Sequence, residues 1–240
     1  MKSLKLALII TLSAVIVSCA DGQWNKTVRG NGNVVKKERP AAYFDGVRAS
    51  SGIDVYLTQG NKESITVEAD ENLHEYIITE IKDGKLHVYH DNVNIRDAER
   101  ERVYVTIKDV KSLKTSSAGD IIGQTPLRGD EIEIGASSAG DIKVEIHARE
   151  VEVNISSAGD VRLNGEADKL SADLSSAGDL SAGDFRVKEA DISVSSAGDA
   201  NVFVTEKLIA RSSSAGNITY QGSPKLIDAH SSSAGGIHGR

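Results

Sequence analysis

One pentapeptide returns at almost constant spacing and limits the folds open to this chain. Ser-Ser-Ala-Gly-Asp occupies Ser116–Asp120, Ser137–Asp141, Ser156–Asp160, Ser175–Asp179 and Ser195–Asp199, then decays to Ser213–Asn217 and Ser232–Gly236. Its glycines follow one another at 18 to 21 residues. A near-fixed period of that length, with tolerated slips, marks a solenoid. Each repeat is one supersecondary unit that buries its apolar side only against its neighbours.

Between the pentapeptides lie alternating runs, such as Glu131–Ile134, Val151–Ile155, Asp191–Val194 and Asn201–Val204. Alternation of β-branched residues predicts strands. No window carries a helical apolar stripe long enough for a helical repeat. Each unit therefore reads as strand, tight corner, strand and polar turn. Glycine suits the corner through positive φ or close backbone approach. If strand parity runs on through the corner, the second serine of each motif faces inward. The first serines, Ser116, Ser137, Ser156, Ser175, Ser195, Ser213 and Ser232, then form an outward polar ribbon. Asp120, Asp141, Asp160, Asp179 and Asp199 are expected to stack in one column. Like charges at strand spacing repel. Either turn amides, each Asp capping its own corner, or weakly held calcium would offset them.

Residues 1–18 read as a lipoprotein signal peptide. Lys2 and Lys5 precede an apolar stretch too short to span a membrane as a helix. It ends Ile16-Val17-Ser18-Cys19, which resembles a bacterial lipobox, and Cys19 is the only cysteine. Lipidation of Cys19 would anchor the chain in the cell envelope, as an outer-membrane lipoprotein. Removing the leader takes Lys2 and Lys5 from the formal charge of −7 and leaves −9. No basic run stands out, so nucleic acid is not an expected partner. Residues 19–40 read as a tether, 41–110 as an N-terminal β region and 111–240 as the repeat solenoid. Within the β region, Ile77–Ile81 and Leu86–His90 predict a hairpin, Glu71–Tyr76 one helical turn, and Asp91–Arg102 a charged loop.

Phe44–Gly60, followed by the Ser-Ser-Ala-Gly-Asp units, resembles the family called "putative auto-transporter adhesin, head GIN domain". Gly52-Ile53-Asp54 stands where that family has its Gly-Ile-Asn triplet, with Asp in place of Asn. The resemblance runs from about Tyr43 to the C-terminus. It implies an all-β fold, a right-handed parallel β-helix of about seven coils. It brings no catalytic residues. Ser50–Asp54 also reads as a degenerate corner, a founding coil interrupted before Gly119, with the intervening strands as an N-terminal β cap.

No serine stands in a Gly-x-Ser-x-Gly elbow or beside a matching His and acid. His87 and His90 fall on opposite faces of one strand, so they cannot share a metal. Tyr56 and Tyr104 share outward parity and are expected to pack across strands. The expectation is a non-catalytic envelope lipoprotein with an adhesin-like or structural surface, no cofactor and no metal. Its partners would be the membrane, through the lipid, and a glycan or envelope protein. A polysaccharide-acting β-helix enzyme and a calcium-stabilised module are the alternatives. The last coil, near Ser232–Gly236, has lost its Asp and predicts a homo-oligomer through that end.

Overall fold

From Asp141 to Ser212 each coil is one long strand closed by one tight turn, and the next coil is split into Asn217–Gln221 and Leu226–Ser231. The computed structural model describes residues 26–240. The leader and Cys19 lie outside the described residues. The strands Asp141–Ile155, Asp160–Leu174, Asp179–Val194 and Asp199–Ser212 succeed one another along the chain. Each lies parallel to the next and in register, with Asp141 beside Asp160 and Ile155 beside Leu174. The fold is a parallel β-solenoid of about 7 turns.

A straight strand of this length could not return to its start. The burial pattern shows where it bends. In Asp160–Leu174 the buried residues are Val161 and Leu163, then Ala167, then Leu170, Ala172 and Leu174. Strict alternation breaks at Asn164–Gly165 and at Asp168–Lys169. Each break moves the chain to a new side of the coil. Gly165 makes the first bend at φ 104, a conformation that L side chains avoid. The uneven repeat lengths are absorbed as bulges, at Arg162/Asn164 and Ala182/Arg186. Equivalent inward residues stack into continuous apolar columns. Full burial of each such Val, Leu or Ile contributes about 1.5–3 kcal/mol.

The corner overturns the parity expectation. In Ser156–Gly159 the amide of Gly159 donates to the Ser156 carbonyl at 3.1 Å. Ser157 and Ala158 both sit in the left-handed region, at φ 51 and 61. This is a type I′ turn. In all seven units the second serine is left-handed, and at every corner but those of Ala177 and Ala197 the alanine is too. This swings the second serine to the outside, whereas parity holds only for extended backbone. Ser117, Ser138, Ser157, Ser176, Ser196, Ser214 and Ser233 are all exposed. Of the first serines, Ser116, Ser137, Ser156, Ser195 and Ser213 are half-buried, while Ser175 and Ser232 are exposed. The glycine answers the second of its two expected requirements. A Cβ on Gly159 would lie 2.6 Å from the Ala136 carbonyl carbon and 2.8 Å from the Ser137 nitrogen. The coil below leaves no room for it.

Ser50–Asp54 is a true corner of the stack. Ser51 and Gly52 are left-handed at φ 63 and 73, matching Ser117 and Ala118. The Gly52 amide donates to the Ser117 carbonyl at 2.9 Å, and Asp54 pairs with Asp120. On one side of this coil lie Ser112–Thr115 and Asp120–Gly123. On the other, Lys85–His90 and Glu101–Ile107 form one further parallel rung. Pairing then turns antiparallel. Ser64–Asp70 covers Glu101–Ile107, Ile77–Lys82 covers Lys85–His90, and Val34–Arg39 closes over Ser64–Asp70. These strands cap the N-terminal end, as solenoid edges require. The hairpin at Asp83-Gly84 and the single 3₁₀ turn Glu71–Leu73 lie where the sequence predicts them. The charged segment is not all loop. Val93–Arg96 forms a short parallel strand with Lys26–Arg29.

Candidate functional site

The first serines do not stand on a convex ribbon. They line a groove of about 850 Å³ that runs along the stack beside the corners. The Ser137 hydroxyl donates to the Thr115 carbonyl at 3.3 Å, Ser175 to Ile155 at 3.4 Å and Ser195 to Leu174 at 3.3 Å. Each of these hydroxyls thus spends its proton on the preceding coil and keeps lone pairs for the groove.

The other wall is a column of residues two positions before each first serine. Arg48 and Lys114 are register partners at its N-terminal end. Gly135, Asn154, Asp173 and Ser193 follow on successive coils. Arg211 and His230 end the column. Its middle is small or polar and its ends are basic. Several charges are held by the adjacent outward column. Lys114 Nζ lies 2.6 Å from Glu133 Oε1 and Arg211 Nη1 lies 2.8 Å from Asp191 Oδ1. Sequence reading missed this column. Aligning the repeats on their first serine would have shown it, since the register follows that alignment.

The aspartates stack as expected, but the bonds their carboxylates accept run to the next coil and not to their own corner. Asp120 Oδ1 accepts the Asp141 amide at 3.1 Å, and Asp179 Oδ1 accepts the Asp199 amide at 3.1 Å. Each carboxylate ties one coil to the next. Where the motif carries asparagine, Asn217 Nδ2 donates to Asp199 Oδ1 at 2.9 Å. Burial raises the pKa of Asp54, Asp120, Asp141 and Asp179 above the ordinary carboxylate value. The neighbouring charge of Asp120 adds to the effect at Asp141. Asp160 completes the same column between Asp141 and Asp179. Among the described residues no three His, Cys, Asp or Glu side chains gather as a metal cluster.

The two tyrosines pair as expected. Tyr56 and Tyr104 stack with centroids 5.4 Å apart and planes at 27°. Arg102 and Lys36 lie over their outer faces, at 5.4 and 4.8 Å from the ring centroids. The pair is braced on both sides and offers no open platform for a sugar. His90 Nε2 lies 2.7 Å from Glu101 Oε1, while His87 lies beside Arg48 on the outer face.

A capped parallel β-solenoid with a long groove, lined by serines and by Ala136, Ile155, Leu174 and Val194 between them, is the class of protein this geometry defines. Residues 43–224 match the family described as "Putative auto-transporter adhesin, head GIN domain", and the chain belongs to it. No curated protein matches the sequence. A solved structure described as a putative adhesin from Bacteroides fragilis is 20% identical, with a TM-score of 0.81 over 89% of this chain and 100% of that one. One described as a putative lipid binding protein from Parabacteroides distasonis is 23% identical, with a TM-score of 0.72 over 90% and 100%. A putative adhesin from Parabacteroides merdae is 22% identical, with a TM-score of 0.68 over 90% and 99%. At such identities the likeness establishes the fold.

Proposed function

We propose that this chain is a non-catalytic lipoprotein of the cell envelope, anchored in the outer membrane through Cys19, whose solenoid groove holds an extended partner in an adhesin-like role. The observation that carries this reading is the groove itself. It follows the stack axis and offers the same serine at each coil, so it suits a repeating, linear ligand. Its wall is the outer face of a sheet whose strands are paired to one another along the stack. A peptide therefore finds no open edge there to extend by strand addition. A glycan, recognised through hydroxyls and side chains, fits such a wall better. The family description and the adhesin neighbours support an envelope surface role.

Gly135 gives the means to test it. Its position on the groove wall lacks a side chain, and a Cβ there meets nothing closer than 3.4 Å. Gly135→Leu should fill the groove without disturbing the coil. Binding of the lipid-free protein to a glycan array, lost in Gly135→Leu at unchanged melting temperature, is the expected result. Binding that survives the filled groove would place the partner elsewhere. Anchoring is tested separately. Labelled palmitate should be incorporated into the wild-type chain and not into Cys19→Ala.

A further inference from the structure

The N-terminal mouth of the groove opens into a second depression of about 330 Å³, which shares Arg48, Lys114 and Glu133 with it. Lys82, Lys85 and His87 add to its basic lining, against which stand the carboxylates of Asp83 and Glu133. The register explains the gathering. His87, Arg48 and Lys114 lie on three successive rungs, one beside the next. The hairpin turn then brings Lys82 and Lys85 to the same edge.

These cations are not equivalent. Lys85 is committed to Asp45 at 2.5 Å, and Lys114 to Glu133 at 2.6 Å. Arg48 is exposed and forms no ion pair with any carboxylate among the described residues. An unpaired guanidinium at the end of a serine-lined groove is suited to a planar or tetrahedral anion, which it can hold with two parallel hydrogen bonds. The setting strengthens the point, because the whole chain is acidic, with a net charge of −7. A local basic mouth runs against that background.

We infer that this mouth binds an anionic group, carboxylate, sulfate or phosphate, borne by a glycan chain that lies in the groove. The inference rests on the groove reading above and adds the chemical class of the ligand. The charge pattern further limits it. Asp173 stands exposed on the groove wall three coils beyond Lys114. Three coils span about 14 Å at strand spacing. That exceeds the Debye length of about 8 Å at physiological salt. Asp173 therefore leaves the mouth's field intact but repels any charge carried beside it. A chain with spaced acidic residues fits, whereas a dense polyanion does not.

The test uses the lipid-free chain on an array holding neutral glycans, glycans with uronate, sulfate or phosphate groups, and a poly-glutamate peptide. Hits confined to sparsely charged acidic glycans are expected. Arg48→Gln should weaken them by about tenfold or more, the scale of one charge-assisted contact, with its melting temperature unchanged. Asp173→Asn should tighten binding of more densely charged chains. Neutral hits alone, lost in Gly135→Leu but untouched by Arg48→Gln, would overturn the anion site and leave the groove reading standing. Equal binding of poly-glutamate would overturn the assignment to glycans. No binding to any glycan would overturn both.

Discussion

Asp54 lies in register beside Asp120, and the Asp120 carboxylate in turn accepts the amide of Asp141. The column thus begins in the founding coil and crosses the long insertion without a gap. Asp54, Asp120, Asp141 and Asp179 in this column have raised pKa values, caused first by burial. A carboxyl whose pKa is raised by folding binds its proton more tightly in the folded chain. Its contribution to stability is present below the ordinary carboxylate range and is lost as pH rises through the raised value. Asp45 runs the other way. Burial opposes its charge, but hydrogen bonds from Lys85 and Lys111 outweigh that and lower its pKa. Its contribution is present above the ordinary value and is lost as pH falls through the lowered one.

Asp141→Asn removes one raised group and keeps an oxygen able to accept an amide. At about pH 7 the variant should be as stable as the wild type or more so, and its advantage should shrink toward about pH 4. Urea midpoints measured across that range provide the check. A variant less stable by the same margin at every pH would contradict the assigned cause.

Gly159 and Asp160 are neighbours with opposite sensitivities. A methyl on Gly159 would strike backbone atoms of Ala136 and Ser137. Gly159→Ala should cost about 1–3 kcal/mol, the range of overpacked cores. For a chain of this size that lowers the melting temperature by about 2–4 °C per kcal/mol. Asp160→Asn, at an exposed position, should stay within about 0.5 kcal/mol of wild type. Calorimetry of the two variants side by side decides it.

Ala158 is held at φ 61 with its methyl exposed. The left-handed region costs an L residue about 1–2 kcal/mol, and glycine avoids this. Ala158→Gly should therefore stabilise by up to about 1 kcal/mol, after the greater chain entropy of glycine is offset. A loss of stability would mean that the methyl makes a contact worth more than the strain.

Tyr104 carries a hydroxyl that donates to Glu68 Oε2 at 2.7 Å. That bond is the largest cause of the lowered pKa of Glu68; burial opposes it and the nearby Lys36 adds to it. Tyr104→Phe should keep the ring stack and move the Glu68 titration upward, as read by NMR. The expected loss of stability is about 1 kcal/mol. An unmoved Glu68 titration would reassign the shift to the lysine.

The solenoid was legible because glycine, alanine and serine recur where coils crowd one another. Ser50–Asp54 was legible as a corner for the same reason, although its fourth residue is Ile53 and not glycine. The inward second serine failed because strand parity was carried through a turn whose second serine is left-handed. That conformation usually announces itself through Asn-Gly or Gly-Gly, and here Ser-Ala fills it. Val93–Arg96 escaped notice because its neighbours are charged and its partner, Lys26–Arg29, is a short polar segment. The groove was hidden more deeply. Arg48, Lys114 and Asp173 have no local motif in common. Only the inter-coil register makes them neighbours on one wall.

The founding coil is early in the chain but interior in the stack, and this sets a timetable for synthesis. Gly46–Gln59 must wait for Lys85–Ile107 on one face and Ser112–Gly123 on the other. At about 5–20 residues per second, the stretch from Gly60 to Gly123 takes about 3–13 s to emerge. Through that interval the coil has both edges open and nothing to template against. Once Gly123 has joined, each later repeat arrives at a finished edge and needs only one turn to dock. The first half of the chain is therefore the part in need of a guardian while it is being made, and the second half can wind itself on.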